Sequence, residues 1–157
     1  MLLLLALLVL AALWTRGLGA AALLASLVLL APLLAAIAAP GSQSGGELTL
    51  CQLHVRVDVA VQEEKPGLYI ARLGAVLQPP DPCHHVLAAH ASGHGSRIVL
   101  RVEAESPPPG TFCVQVLPPP LRYTWSLRLA EKPEEVLVVV HDRGSGMTCS
   151  GVVRLGG

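Results

Sequence analysis

Between Met1 and Pro40 the chain carries one charged side chain, Arg16, in an almost unbroken succession of Leu, Ala and Val. Every acidic residue and all four cysteines come from Glu47 onward. This division constrains the chain more than any motif does. A stretch that apolar is delivered to a membrane, and the remainder of the chain is expected to fold on the far side, where thiols oxidise. The averages of 52% hydrophobic and 14% charged residues mix the two segments. Once the first forty residues are set aside, roughly 115 remain, enough for one small domain with a modest core. The formal net charge is zero, and no basic stripe interleaves with aromatic residues, so nucleic acid is not expected as a partner.

The leader contains two apolar runs, Leu2 to Trp14 and Leu18 to Ala39, parted by Thr15, Arg16 and Gly17. The second offers about 20 apolar residues, the length that crosses a bilayer core as a helix. Leu18, Leu23, Leu27, Leu30 and Leu34 would then face lipid as the membrane anchor. The first run has the length of a signal-peptide core. Ala36, Ala38 and Ala39 also offer the small residues of a signal-peptidase site, so the leader reads either as an anchor of one or two spans or as a cleaved signal. Each version exports the rest of the chain, with the C-terminal domain extracytoplasmic if anchored and secreted if cleaved.

Residues 41–46, Gly-Ser-Gln-Ser-Gly-Gly, read as a flexible spacer, and the domain is expected over 47–157. From Leu48 the apolar period becomes two. Val55, Val57 and Val59 alternate with His54, Arg56 and Asp58; Ile98, Leu100 and Val102 alternate with Arg101 and Glu103; Tyr123, Trp125, Leu127 and Leu129 alternate with Arg122, Thr124, Ser126 and Arg128. These are half-buried strands. Turn residues recur about every ten positions, including Lys65-Pro66-Gly67, Pro79 to Pro82, Pro107 to Gly110, Pro118 to Pro120 and Arg143 to Gly146. Seven or eight short strands with such punctuation predict an all-β fold, an antiparallel β-sandwich of immunoglobulin-like shape behind the helical leader. His85 to His90 lacks alternation and would admit a helical turn, but a strand fits the class better.

An even cysteine count in an exported domain predicts two disulfides, with three pairings open. We favour Cys83 with Cys113, the latter expected in a strand, and Cys51 with Cys149, which would tie the first and last strands. The outer bridge closes a loop of about 100 residues and contributes up to about 4 to 5 kcal/mol in the chain-entropy treatment.

Pro80-Asp81-Pro82-Cys83-His84, the strand Ile98 to Val102, Pro107 to Gly110 and Cys113-Val114-Gln115 with Pro118 after it together resemble a family of exported bacterial immunoglobulin-like β-sandwich modules, which carry a Pro-x-x-Cys turn and then a Cys-x-Gln strand. The resemblance covers about half the domain, and implies a sandwich in which Cys83 and Cys113 pair. It implies no activity. The C-terminal end departs from that pattern, so the pairing of Cys51 with Cys149 rests on their positions alone.

One constellation has ligand chemistry. His84, His85, His90 and His94, beside Cys83, offer imidazoles that suit copper or zinc, with His54, His141 and Met147 elsewhere in the chain. The order His141, Met147, Cys149 reverses that of a blue-copper loop, and oxidised cysteines cannot be thiolate ligands. His84 and His85 fall on opposite faces of a strand, so at most one of them joins His90 or His94. Ser145 and Ser150 lack a nucleophile elbow. Glu63-Glu64, Glu103 with Glu105, and Glu134-Glu135 read as solvated faces that protect sheet edges. Gly93-x-Gly95 and Gly144-x-Gly146 lack the strand-to-helix setting of a phosphate loop and read as hairpin turns.

The expected function is therefore non-enzymatic: a binding or structural accessory subunit of an envelope-located assembly, with a protein partner and with the bilayer engaged through the leader. The alternatives are an extracytoplasmic copper- or zinc-binding protein using His84 to His94, and a secreted protease inhibitor presenting Pro107 to Gly110 or Pro118 to Pro120 as a rigid segment.

Overall fold

The computed structural model describes residues 42–156, with side chains from Ser44 onward. The leader, its anchor leucines and the one-span, two-span and cleaved readings lie outside the described residues. Eight strands succeed one another: β1 (Ser42–Leu50), β2 (Leu53–Lys65), β3 (Leu68–Gln78), β4 (His85–His94), β5 (Arg97–Glu105), β6 (Leu121–Leu129), β7 (Glu135–Asp142) and β8 (Met147–Arg154). They form two four-stranded sheets of order β1-β2-β3-β6 and β4-β5-β7-β8. Strand β1 lies over β8 and β6 over β4, so the two inner faces enclose one core.

The period-two pattern explains which side chains are inside. Val55, Val57 and Val59 of β2, Leu73 and Leu77 of β3, Ile98, Leu100 and Val102 of β5, and Val136, Val138 and Val140 of β7 are essentially inaccessible. The alternates of β2, His54, Arg56 and Asp58, are polar and exposed on the outer face, whereas those of the central strands β5 and β7 include Val99, Leu137 and Val139, which are buried or half-buried there. Branched aliphatics suit this pleated geometry, and one fully buried side chain of this type contributes about 1.5 to 3 kcal/mol.

At four places the structure corrects or sharpens the sequence-based expectation. First, 42–46 is not a loose spacer: Ser42 to Gly46 pair with Val61 to Val57 in the β1–β2 ladder. The two glycines that suggest flexibility instead permit close approach. A Cβ on Gly45 would lie 2.5 Å from the Val57 carbonyl oxygen, and one on Gly46 would lie 2.8 Å from Cγ1 of Val153. Second, five of the six ladders are antiparallel, but β5 pairs with β7 in parallel, because the chain leaves for the other sheet as β6 before returning. Third, His85 to His90 is strand, as favoured over a helical turn, and its missing alternation comes from a bulge between Val86 and Ala88. Fourth, Cys113 lies in a connection without regular structure, 106–120, rather than in a strand.

Short turns carry the expected chemistry. Pro66-Gly67 and Gly95-Ser96 join their hairpins in two residues, with Gly67 at φ 77° and Gly95 at φ 58°. The β1–β2 turn is different. Cys51 and Gln52 hold φ values of 46° and 66°, the left-handed pair of a type I′ turn, without a glycine at either position.

Candidate functional site

The ladder registers gather four connections at one end of the sandwich: the Cys51-Gln52 turn, the 79–84 loop, the 106–120 connection and the 143–146 turn. Both disulfides sit there, with Cys51 joined to Cys149 and Cys83 to Cys113, the pairing expected from the sequence. Such bridges form in oxidising compartments, which agrees with an extracytoplasmic domain. The chain enters β1 at Ser42, at the opposite end.

The most unusual segment at this end is 106–120. A fifteen-residue connection without secondary structure is rare in a compact domain and is usually either a functional loop or a loose linker. This one is held as a strap. Pro107 to Pro109 stiffen its start, and a turn closes where Thr111 N–H donates to the Pro108 carbonyl at 3.1 Å, with Gly110 at φ 85°. The bridge to Cys83 fixes Cys113. Nε2 of Gln78 donates to the Pro118 carbonyl at 2.7 Å, and Pro118 to Pro120 lead into β6. Between these anchors the side chains point to solvent: Phe112 is 92% exposed and Leu117 72%, with Val114 and Val116 more than half exposed. Apolar side chains held outward by a stiff backbone lose little conformational freedom when a partner covers them.

Two buried carboxylates build the strap's foundations. Asp81, in the 79–84 loop, accepts the N–H of Cys83 at 2.8 Å and that of His84 at 3.2 Å, and its Oδ1 lies 2.9 Å from His84 Nδ1. The His84 ring holds its pKa below the usual carboxylate value, with help from the Cys83 N–H and against desolvation. Asp142, at the end of β7, accepts the N–H groups of Ser106 at 2.8 Å and Gly144 at 3.0 Å, and the hydroxyl of Ser145 at 2.6 Å. Burial pushes its pKa up, but the bonds from Ser145, Ser106 and Gly144 outweigh burial and hold it at about 2. Both groups are therefore anionic fasteners of loops. A general acid at neutral pH needs the opposite shift.

The histidines proposed as ligands are spread from the 79–84 loop along β4. His84 is occupied by Asp81, His85 starts the strand, and His90 and His94 face solvent further along it, His94 with Nε2 3.4 Å from Ser92 Oγ. His94 lies nine positions after His85, about 30 Å along the strand at 3.3 Å per residue. His54 and His141 lie against Thr49 and Thr148 on other strands. Among the described residues the one cluster of three possible donors is Asp81, Cys83 and Cys113, within 4.8 Å of one another. Its two sulfurs are bonded to each other and offer no thiolate.

Sequence reasoning weighed Pro107 to Gly110 and Pro118 to Pro120 but missed the segment between them. Its signal was present: four large apolar residues, Phe112, Val114, Val116 and Leu117, bracketed by two tri-proline runs. Reading Cys113 as part of a strand buried that signal in the core. No protein family, curated protein or solved structure matches the chain.

Proposed function

We propose that the chain is a non-enzymatic module of the cell envelope that contacts a protein partner through the strap, with the leader as its membrane anchor. The observation that carries this reading is Phe112, 92% exposed and immediately beside a bridged cysteine. An isolated exposed apolar residue needs no explanation, but four within six residues of one tethered segment concentrate exposed apolar surface of the kind that marks interaction sites. Loops gathered at one end of a sandwich are a common place for such contacts, a statement of analogy at the level of architecture.

A photo-crosslinking residue at Phe112 of the full chain, expressed in its native cells, tests the reading. It should yield one adduct of defined mass that disappears when Leu117→Asp is added, whereas the same probe at Arg154 yields none. Equal labelling at both positions, or none at Phe112, would refute it. Deletion of residues 1–40 should abolish assembly with the partner while the domain stays folded, and a truncated chain that still co-purifies with that partner would refute the anchoring role.

A second reading, inhibition of a secreted protease, draws support from the same rigidity. An exposed Phe112 held by a disulfide would enter an apolar specificity pocket. A panel of endopeptidases separates the two: inhibition that Phe112→Ala abolishes supports the second reading, and its absence leaves the first.

A further inference from the structure

On the outer face of the first sheet the ladder registers stack residues into rows that run across the strands. One row is Gly45, Asp58, Gly74 and Thr124, one residue from each of β1, β2, β3 and β6. The flanking row on one side holds Glu47, Arg56, Val76 and Arg122, and that on the other holds Ala60, Arg72 and Ser126. With two glycines in it, the middle row is the floor of a trough. An open cleft of about 590 Å³ occupies its β1–β3 part, lined by Arg56, Asp58, Ala60, Arg72 and both glycines, and Thr124 and Arg122 continue the rows beside it on β6.

The two glycines stand there for different reasons. A side chain on Gly45 would collide with the β2 backbone. Gly74 has no such constraint: its φ is not left-handed, and the nearest atom to an added Cβ is the Asp58 carbonyl oxygen at an ordinary 3.7 Å. A glycine in a strand interior costs about 0.5 to 1 kcal/mol relative to alanine and often marks a close approach by a ligand. Packing does not require this one. What it supplies is open space.

The banks carry three arginines, Arg56, Arg72 and Arg122, against one carboxylate, Glu47. Arg56 lies 3.4 Å from Asp58 and 4.0 Å from Glu47, but Arg72 and Arg122 meet no carboxylate among the described residues. By strand spacing the Cα atoms of Arg56 and Arg122 are about 10 Å apart, and the two banks about 13 Å. We infer that this trough binds an acidic glycan lying across the strands. Arg72 and Arg122 would pair with its carboxylates, and Asp58 and Thr124 would accept hydrogen bonds from its hydroxyl groups. A ligand made only of anionic groups would be repelled by Asp58 in the floor. A peptide would gain little, since a sheet directs its backbone donors and acceptors along the plane and not out of its face. A chain of hydroxylated, carboxylated sugars satisfies both the floor and the banks. This site is independent of the strap.

The test is affinity electrophoresis of the full chain in neutral detergent, with its disulfides intact, through gels containing polygalacturonate, neutral dextran or dextran sulfate. The expected result is retardation by polygalacturonate and none by dextran. Arg72→Ala with Arg122→Ala should weaken binding by about tenfold or more, the scale of one lost charge-assisted hydrogen bond. Gly74→Val, which fills the trough without changing charge, should weaken it as much, whereas Arg154→Ala on the other sheet should have no effect. Circular dichroism confirms that each variant is folded. Absence of retardation by polygalacturonate would overturn the inference. So would Gly74→Val binding like the parent, or dextran sulfate binding that only the arginine variants affect, because the face would then act as diffuse positive charge.

Discussion

The carboxylate of Asp142 accepts the backbone N–H of Ser106 at 2.8 Å, so the last residue of β7 holds the first residue of the strap. The two are 36 positions apart, and the same carboxylate also closes the β7–β8 turn through Gly144 and Ser145. One buried anion thus couples the parallel strand pair to the exposed apolar segment.

Its titration sets an acid limit on stability. The Asp142 pKa is lowered from 3.8 to about 2 in the folded chain, so its stabilisation is fully present above pH 4 and is lost as the pH falls through 2. The difference corresponds to about 2 kcal/mol. Asp142→Asn should cost about 1 to 3 kcal/mol at neutral pH and flatten the dependence of the urea midpoint between pH 4 and 2. A variant that keeps the parent's acid limb would show that another group sets it.

The Cys83–Cys113 bridge should be a local fastener, because it joins two connections and no strands. The chain-entropy treatment gives about 3.6 kcal/mol for its loop and about 4.7 kcal/mol for that of Cys51–Cys149. Cys83→Ala with Cys113→Ala should therefore leave the sandwich folded, while limited proteolysis newly cuts between Thr111 and Leu117. Cys51→Ala with Cys149→Ala should lower the urea midpoint further and create no preferred cut in the strap. Mass spectrometry of the fragments separates the two outcomes.

The β1–β2 turn holds a side chain where the backbone favours none. Gln52 has φ 66° and stands directly after the bridged Cys51. Gln52→Gly removes the left-handed strain and should raise stability by about 0.5 to 1 kcal/mol, whereas the β-branched Gln52→Val should lower it. Thermal melts of the two variants against the parent measure the sign directly.

Each part of the fold was legible in the sequence only as far as its physical signal is local. The strands from Val55 to Val59 and from Ile98 to Val102 were readable because burial on one face imposes alternation. The Cys83–Cys113 and Cys51–Cys149 pairs were readable once their positions relative to the strands and turns were placed. Strand β4 was obscured by its bulge, which shifts alternation by one residue at Leu87. The parallel β5–β7 pairing depends on where the chain crosses between sheets, for which no local residue pattern codes. The trough was invisible for the same reason. Gly45, Asp58, Gly74 and Thr124 share a row only after three registers are known.

The Gly45-Gly46 step separates a strand from a spacer. In a flexible linker, glycine to alanine is neutral or slightly stabilising, because it restricts the unfolded chain. In the structure, an added Cβ at Gly46 meets Val153, a core side chain that is 7% exposed, and at Gly45 it meets the backbone of β2, which has less freedom to yield. Gly46→Ala should therefore cost about 1 to 3 kcal/mol, the range for overpacking a core, and Gly45→Ala at least as much. Backbone amides of Leu48 and Leu50 would lose hydrogen-exchange protection in both variants as β1 detaches, while those of Val136 to Val140 keep theirs. If both alanine variants melt at or above the parent's temperature, residues 42–46 are a spacer after all and the first sheet begins at β2's pairing with the shorter segment from Glu47.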